Sequence, residues 1–352
     1  MKHMRRMLGF FFFIGILGAF PCFGQDKANE NAQAPNPWYD RIQISGLVEI
    51  EAGLFETDYE APDAEDETSS DMDLATVELA VDAEITKYVD AHVLFKYEED
   101  EVFVDEGFIM LTGPESFPAY LIAGRQYIPF GSYESHFVTD PTTLTLGETN
   151  EGALVAGHRF RGDMVDLSVG VFNSDVQEAG DDDTVNGFVA GISFNPFQGL
   201  MLGVSYTSNL AGSDAFQEYI VDPENLESLV AGYGVCVAYA FLDRFKLIGE
   251  YIAALDDFIP GEVYDASDPL ARSPRAYNLE LGCMVVENLE LAVRYAGADD
   301  GGADFLPESE YGAVVNWGFF ENTNLAVEYL HGEFEDDVKT TDTAIIQLAV
   351  EF

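Results

Sequence analysis

Apolar and polar positions alternate at period two almost from Arg41 to the end of the chain. In the closing stretch TDTAIIQLAVEF, Ala344, Ile346, Leu348, Val350 and Phe352 share one parity, while Ile345, Gln347, Ala349 and Glu351 share the other. This is the pattern of a strand with two unlike faces. RIQISGLVEIEAGLF sets Ile42, Ile44, Val48, Ile50, Ala52 and Leu54 against Gln43, Ser45, Glu49 and Glu51. ATVELAVDAEI sets Val77, Leu79, Val81, Ala83 and Ile85 against Glu78, Asp82 and Glu84. The pattern continues through AHVLFKYEE, DLSVGVF, LMLGVSYTS, YGVCVAYAF, FKLIGEYIA, YNLELGCMVV, LELAVRYA, YGAVVNW and LAVEYLH. Four weaker segments near 104–112, 119–127, 152–160 and 187–194 bring the expectation to sixteen strands, with the facing of Phe108–Met110 ambiguous.

Short connections rich in Gly, Pro, Asn and Asp fall near 86–90, 113–118, 161–163, 195–199, 242–244, 286–288 and 319–322, as tight turns require. The eight others are expected to be mostly longer and acidic: near 56–73, 98–103, 128–151, 173–186, 209–230, 255–275, 297–309 and 332–342. An even strand number, short turns at one end and long loops at the other describe an all-β, transmembrane antiparallel β-barrel of the bacterial outer membrane. In lipid every backbone amide needs an internal partner, so a spanning sheet must close. The last strand is then the seam, and Phe352 is expected at the periplasmic lipid interface as the signal for barrel assembly. Tyr97, Tyr206, Tyr239, Phe241, Tyr251, Tyr277, Tyr295 and Tyr329 recur at strand ends on the apolar parity, as interfacial girdles do. A soluble sandwich or solenoid is the rival. It fails because sixteen strands enclose too wide a lumen for side chains to fill, and the polar parity is rich in Glu.

The N-terminus changes the picture in one respect. Lys2, Arg5 and Arg6 precede the apolar run Leu8–Phe20, and Cys22-Phe23-Gly24 offers small residues before a cut at Gln25, which describes a secretory signal peptide over 1–24. A lipoprotein signal acylated at Cys22 is the alternative, opposed by Pro21. Residues 25–40 form a short periplasmic linker and 41–352 the barrel, without an N-terminal plug. The expected location is the outer membrane of a Gram-negative cell, with lipid, lipopolysaccharide and the barrel-assembly machinery as partners.

The formal net charge is −48, from 64 acidic against 16 basic residues, and loss of the leader removes three of the basic ones. With 27 Phe and 17 Tyr the chain is not an acidic disordered protein. The acidity excludes a nucleic-acid partner, which needs clustered Lys and Arg. Cys236 and Cys283 fall on opposite faces of non-adjacent strands, so no disulfide is expected. The acidic loop clusters Asp181–Asp183, Asp256–Asp257, Asp299–Asp300 and Glu335–Asp337 lack calcium-loop spacing and read as solvated charge. No Gly-x-Ser-x-Gly or His-Glu-x-x-His occurs, so no enzyme, cofactor or metal centre is expected.

By parity the lumen is lined by Glu49, Glu51, Glu78, Asp82, Glu84, His92, Lys96, Glu98, Arg125, Lys246, Glu250, Glu280, Glu290, Arg294 and Glu328. Rings of carboxylates favour cations, with basic residues opposite them sharpening a transverse field; the bland alternative is that water simply solvates these charges. The segment IPFGSYESHFVTDPTTLTLGETN is the third long loop and is expected either to fold inward as a constriction or to stay on the surface. Its candidate contacts are Tyr133, Glu134, Asp140, Thr143 and Glu148.

DLATVELAVDAEITKYVDAHVLFKYEED, AGRQYIPFGSYESHFVTDPTTLTLGET and AIIQLAVEF together resemble the LbtU family of siderophore porins. The pattern at Pro129–Gly131, Asp140–Pro141, Thr143–Leu144 and Leu146–Thr149 is the most specific part. The resemblance implies a sixteen-stranded outer-membrane barrel for uptake of a ferric siderophore. A ferric carboxylate chelate is usually anionic, so its attraction would rest on Lys96, Arg125, Lys246, Arg294 and Arg159; otherwise the ligand is cationic or neutral. The alternatives are a general cation-preferring diffusion porin and a structural surface barrel that binds divalent cations. Trimers are common among sixteen-stranded porins, but no interface is legible.

Overall fold

The computed structural model describes residues 38–60, 64–98, 101–180, 184–335 and 338–352. The expected signal peptide and nearly all of the expected linker lie outside them. Sixteen antiparallel strands form one closed sheet, each paired with its sequence neighbours and the last with the first. They are β1 (Ile42–Tyr59), β2 (Glu67–Thr86), β3 (Val89–Glu98), β4 (Glu101–Thr112), β5 (Ala119–Tyr127), β6 (Asn150–Phe160), β7 (Val165–Phe172) and β8 (Gly187–Phe197). There follow β9 (Leu200–Thr207), β10 (Gly232–Phe241), β11 (Phe245–Ala254), β12 (Arg275–Val286), β13 (Leu289–Asp299), β14 (Ser309–Phe320), β15 (Thr323–Glu333) and β16 (Lys339–Glu351). One short helix, α1 (Thr142–Gly147), lies in the loop between β5 and β6.

The seam runs from Leu47 opposite Glu351 to Tyr59 opposite Lys339. Phe352 extends it, exchanging two backbone hydrogen bonds of 3.0 Å with Gly46. The apolar parity faces outward: Ile44, Ile50, Leu54, Val204, Leu279, Val293 and Ile346 are all exposed. On a water-soluble barrel this surface would be an extended apolar patch; on a membrane barrel it is the lipid-facing band. Aromatic pairs sit at both rims, with Tyr239 stacked on Phe241 and Phe241 on Phe245 at the short-turn end, and Tyr277 beside Tyr295 toward the loops. The short turns use left-handed backbone, as at Leu242 (φ 53°) and Asp243 (φ 55°), matching the twist of the strands they join.

Three departures from the sequence pattern have local causes. β1 and β2 are 18 and 20 residues long, so the expected loop 56–73 shrinks to the few residues between Tyr59 and Glu67. Likewise Glu98 pairs directly with Glu101, so β3 and β4 take up most of the expected loop 98–103. The ambiguity near Phe108 arises from a bulge at Asp105, where Phe95 pairs with Val104 but Leu94 with Glu106. The extra residue re-phases the strand, so Ile109 faces out and Met110 is buried inside. Cys236 and Cys283 are free.

Val293, at the middle of β13, is 55% exposed among outward neighbours Leu281 and Ala313. Val293→Arg is expected to destabilise the barrel by about 2–4 kcal/mol in a bilayer, measured by reversible denaturant unfolding in vesicles.

Candidate functional site

The loop 128–149 lies inside the barrel. It enters through Gly131 (φ 78°) and Tyr133 (φ 53°), two left-handed positions that turn the chain away from β5. Its amides then meet a row of wall carboxylates. Glu250 on β11 accepts from the Ser132 amide (2.6 Å), the Tyr133 amide (3.1 Å) and the Thr143 hydroxyl (2.9 Å). Glu280 on β12 accepts from the His136 amide (2.6 Å) and the Ser135 hydroxyl (2.9 Å). Glu328 on β15 accepts from the amides of Val138 (2.5 Å) and Thr139 (3.2 Å) and from the Thr139 hydroxyl. Amide-to-carboxylate bonds are charge-assisted and about twice as strong as neutral ones. They also give the buried carboxylates donors they would otherwise lack.

Arg294 on β13 completes the attachment from the other sign. Its guanidinium donates to Glu280 (3.0 Å), the Ser135 hydroxyl (2.7 Å) and the Thr139 carbonyl (2.8 Å), and lies 4.3 Å from the Phe137 ring centre. Asn316 on β14 donates to the His136 carbonyl at 2.8 Å. Gly282 leaves room for the His136 ring, which contacts Glu290. Below the loop Lys246 pairs with Glu134 at 2.6 Å. The loop tip packs Phe137 and Val138 against Val314, Leu330 and Ile345, with Phe55 of β1 alongside. The loop therefore crosses from β5 to the seam.

Apolar residues cover the other flank. Phe130, Leu144 and Leu146 pack with Phe172, Val176, Leu210, Phe216, Phe258 and Phe305 from later strands and loops. The β7–β13 side of the lumen is thus a dry core. What stays on the opposite side is Glu49, Glu51, Glu78, Lys96, Glu98, Asp105, Glu106 and Gln347 on the wall. Glu148 of the loop shares an electrostatic neighbourhood with Asp140, Asp214, Lys96 and Asp105. Lys96 pairs with Glu98 at 3.3 Å, and His92 with Asp82 at 2.7 Å. Glu49, Lys96, Asp105 and Glu148 are all buried.

Two loop carboxyls are displaced from their usual range. Burial holds Glu148 well above it, with Asp140 and Asp214 adding. Burial also pushes Asp214 up to about 7, although the Asn150 amide donates to it at 3.1 Å.

Comparison with solved structures matches this arrangement to known barrels. The outer membrane channel DcaP of Acinetobacter baumannii superposes with a TM-score of 0.62 at 13% identity, covering 88% of this chain and 97% of that one. The anion-selective porin from Comamonas acidovorans gives 0.63 at 10% identity, covering 88% and 100%. The fold is that of the outer-membrane porins. Among curated proteins, a UPF0422 protein of Coxiella burnetii (strain RSA 493 / Nine Mile phase I) is 26% identical over 341 residues, 91% of this chain and 70% of that protein. A UPF0422 protein of Legionella pneumophila (strain Lens) is 23% identical over 337 residues; the chain spans 61% of its length. No protein-family model matches the chain.

Within this porin fold the expected lining residues divide. Glu49, Glu78, Asp82, His92, Lys96 and Glu98 stand on the wall that the loop leaves uncovered. Glu250, Glu280, Arg294 and Glu328 hold the loop instead of facing a channel, and Lys246 and Glu290 are engaged beneath it. Arg125 departs from its expected facing: it pairs with Gly107 and Gly152 in the outward register of Ile109 and Ala123, and it is exposed. Of the loop residues, Tyr133 and Thr143 are buried against the wall, Glu134 points to Lys246, and Glu148 is buried within electrostatic reach of Asp140, Asp214, Lys96 and Asp105. Parity could not reveal Asp105, hidden by the bulge, or Asp214, which lies in a loop.

Arg294→Met is expected to cost about 3–5 kcal/mol, because it strands Glu280 and Glu310 without their cation. Denaturant unfolding of the detergent-refolded barrel measures it. Asp214 has a folded-state value near 7 against an ordinary 3.8, so the native loop packing holds a proton the unfolded loop releases. Stability of this packing therefore falls as pH rises from about 4 to 7. Hydrogen-exchange protection factors across 208–231, corrected for the intrinsic rise with pH, should fall over that range, and Asp214→Asn should flatten the dependence.

Proposed function

We propose that the protein is an outer-membrane channel that passes small cationic and neutral solutes through a lateral passage beside its inward-folded third loop. One observation carries this reading. The loop draws Arg294 and Lys246 into its own ion pairs, and Arg125 faces outward, so Lys96 is the one expected lumen Lys or Arg left on the uncovered wall, with His92 held between Asp82 and Glu106 beside it. Around it stand Glu49, Glu51, Glu78, Glu98, Asp105 and Glu106. A passage lined this way repels anions and concentrates cations. The Comamonas protein of similar fold is named anion-selective, so selectivity follows the side chains rather than the barrel.

The uptake of an iron chelate is a narrower form of the same reading. The resemblance to siderophore porins supports it, and the charge distribution restricts it to a neutral or cationic chelate. An anionic ferric carboxylate would meet one ammonium, already paired with Glu98. Export by the leader over 1–24 and residence in the outer membrane belong to this proposal, as does recognition of Phe352 during assembly.

The mature protein in a planar bilayer under a KCl gradient tests it. The reversal potential is expected to report cation preference, which Glu78→Gln should reduce. A neutral ferric chelate added on the loop side should block more than an anionic one. Anion preference, or no conductance from a folded barrel, would overturn the reading.

A further inference from the structure

The inner face of the seam holds two oxygens for which the fold supplies no donor. Glu49 on β1 and Gln347 on β16 are each 1% exposed. Glu49 Oε1 and Gln347 Oε1 have no hydrogen-bond partner among the described residues. They belong to one small patch. Gln347 stands opposite Glu51, and Glu49 opposite Ala349, so Glu49 and Gln347 are diagonal neighbours across the seam. On its other side Glu49 stands opposite Thr76 of β2.

The orientation of the amide is fixed by charge. Gln347 donates its Nε2 to Glu51 Oε1 at 2.8 Å, the better acceptor, which leaves its carbonyl oxygen directed elsewhere. Opposite Glu49, Ala349 presents only a methyl and leaves space beside the carboxylate. Between Thr76, opposite Glu49, and Leu74, opposite Ile50, β2 carries Ala75 as an extra residue, a bulge that re-aims β2 beside the patch. Thr76 hydrogen-bonds Glu49 and the Lys96 ammonium acts on it from a distance, yet Glu49 Oε1 and Gln347 Oε1 keep no donor, so two carboxylates, an amide oxygen and a hydroxyl gather where buried oxygens are left open, which is costly unless a positive charge sits between them. No group of three or more His, Cys, Asp or Glu side chains is placed to hold a metal among the described residues. This patch is of another make, with half its protein donors neutral.

We propose that the seam binds one hard divalent cation, Ca2+, through Glu49, Glu51, Gln347 Oε1 and Thr76. All the donors are oxygen, two carry charge, and they come from three strands with flexible side chains. That set suits Ca2+, which accepts six to eight oxygens in loose geometry, better than Mg2+, which demands a strict octahedron. The site ties β16 to β1 and β2, so the ion clamps the closure of the barrel. Its occupancy does not depend on whether the barrel conducts.

Calorimetric titration of the refolded full-length mature barrel with CaCl2 in 150 mM KCl tests the proposal, since salt weakens binding to exposed loop carboxylates. One tight phase per barrel is expected above the weak background, together with a rise in melting temperature with Ca2+. Glu49→Gln and Gln347→Met should each abolish that phase and the rise, while the heat-modifiable band on gels confirms that both variants fold. Diffraction from crystals soaked in MnCl2 should place an anomalous peak between Glu49 and Gln347. A tight phase that persists in both variants, or an anomalous map with no peak at the seam, overturns the site and assigns a proton to Glu49 instead.

Discussion

A sheet set in hydrocarbon has no water to satisfy a bare edge, so the structure depends on the pairing of β16 with β1. Everything inside follows from that closure. Sixteen strands enclose more space than their side chains can fill. This chain fills part of it with its own loop. The outward parity is mostly apolar because lipid is its solvent, whereas the inward parity varies from buried alanines to carboxylates as its neighbours change from loop to opposite wall.

The lumen has two unlike halves. On the β7–β13 side, loop residues such as Phe216, Phe258 and Phe305 form a packed apolar core continuous with the third loop. Where that loop runs across β11–β15, acid groups are spent as acceptors for its amides, and Arg294 offsets the charge. The uncovered wall at β16–β4 keeps its carboxylates and one lysine. Total acidity thus says little about selectivity. What matters is which charges the loop leaves unclaimed, and that is decided by a few hydrogen bonds.

Much of the architecture was legible in the sequence, because strand parity is a local signal repeated in every segment. All sixteen strands and the seven tight turns followed from it. The misjudged loops at 56–73 and 98–103 are acidic and polar, yet they pair because the strands rise beyond the membrane, where polar residues suit both faces. The site was less legible. Parity tells which way Glu250 or Glu280 points, but not that an amide 117 or 144 residues earlier in the chain will reach it. Arg125 failed differently: two glycines flank it across the sheet, and no alternation of its own sequence marks an outward arginine.

The span of these tethers has a consequence for how the protein is built. Val138 and Thr139 find their acceptor 190 and 189 residues later, on the last strand but one. The loop precedes its acceptors in the chain and has no place to dock until β11, β12 and β15 stand in order. The course of the loop across the lumen is therefore settled last, as the wall becomes a cylinder. A barrel arrested before its final strands would hold a loop with no fixed path across it.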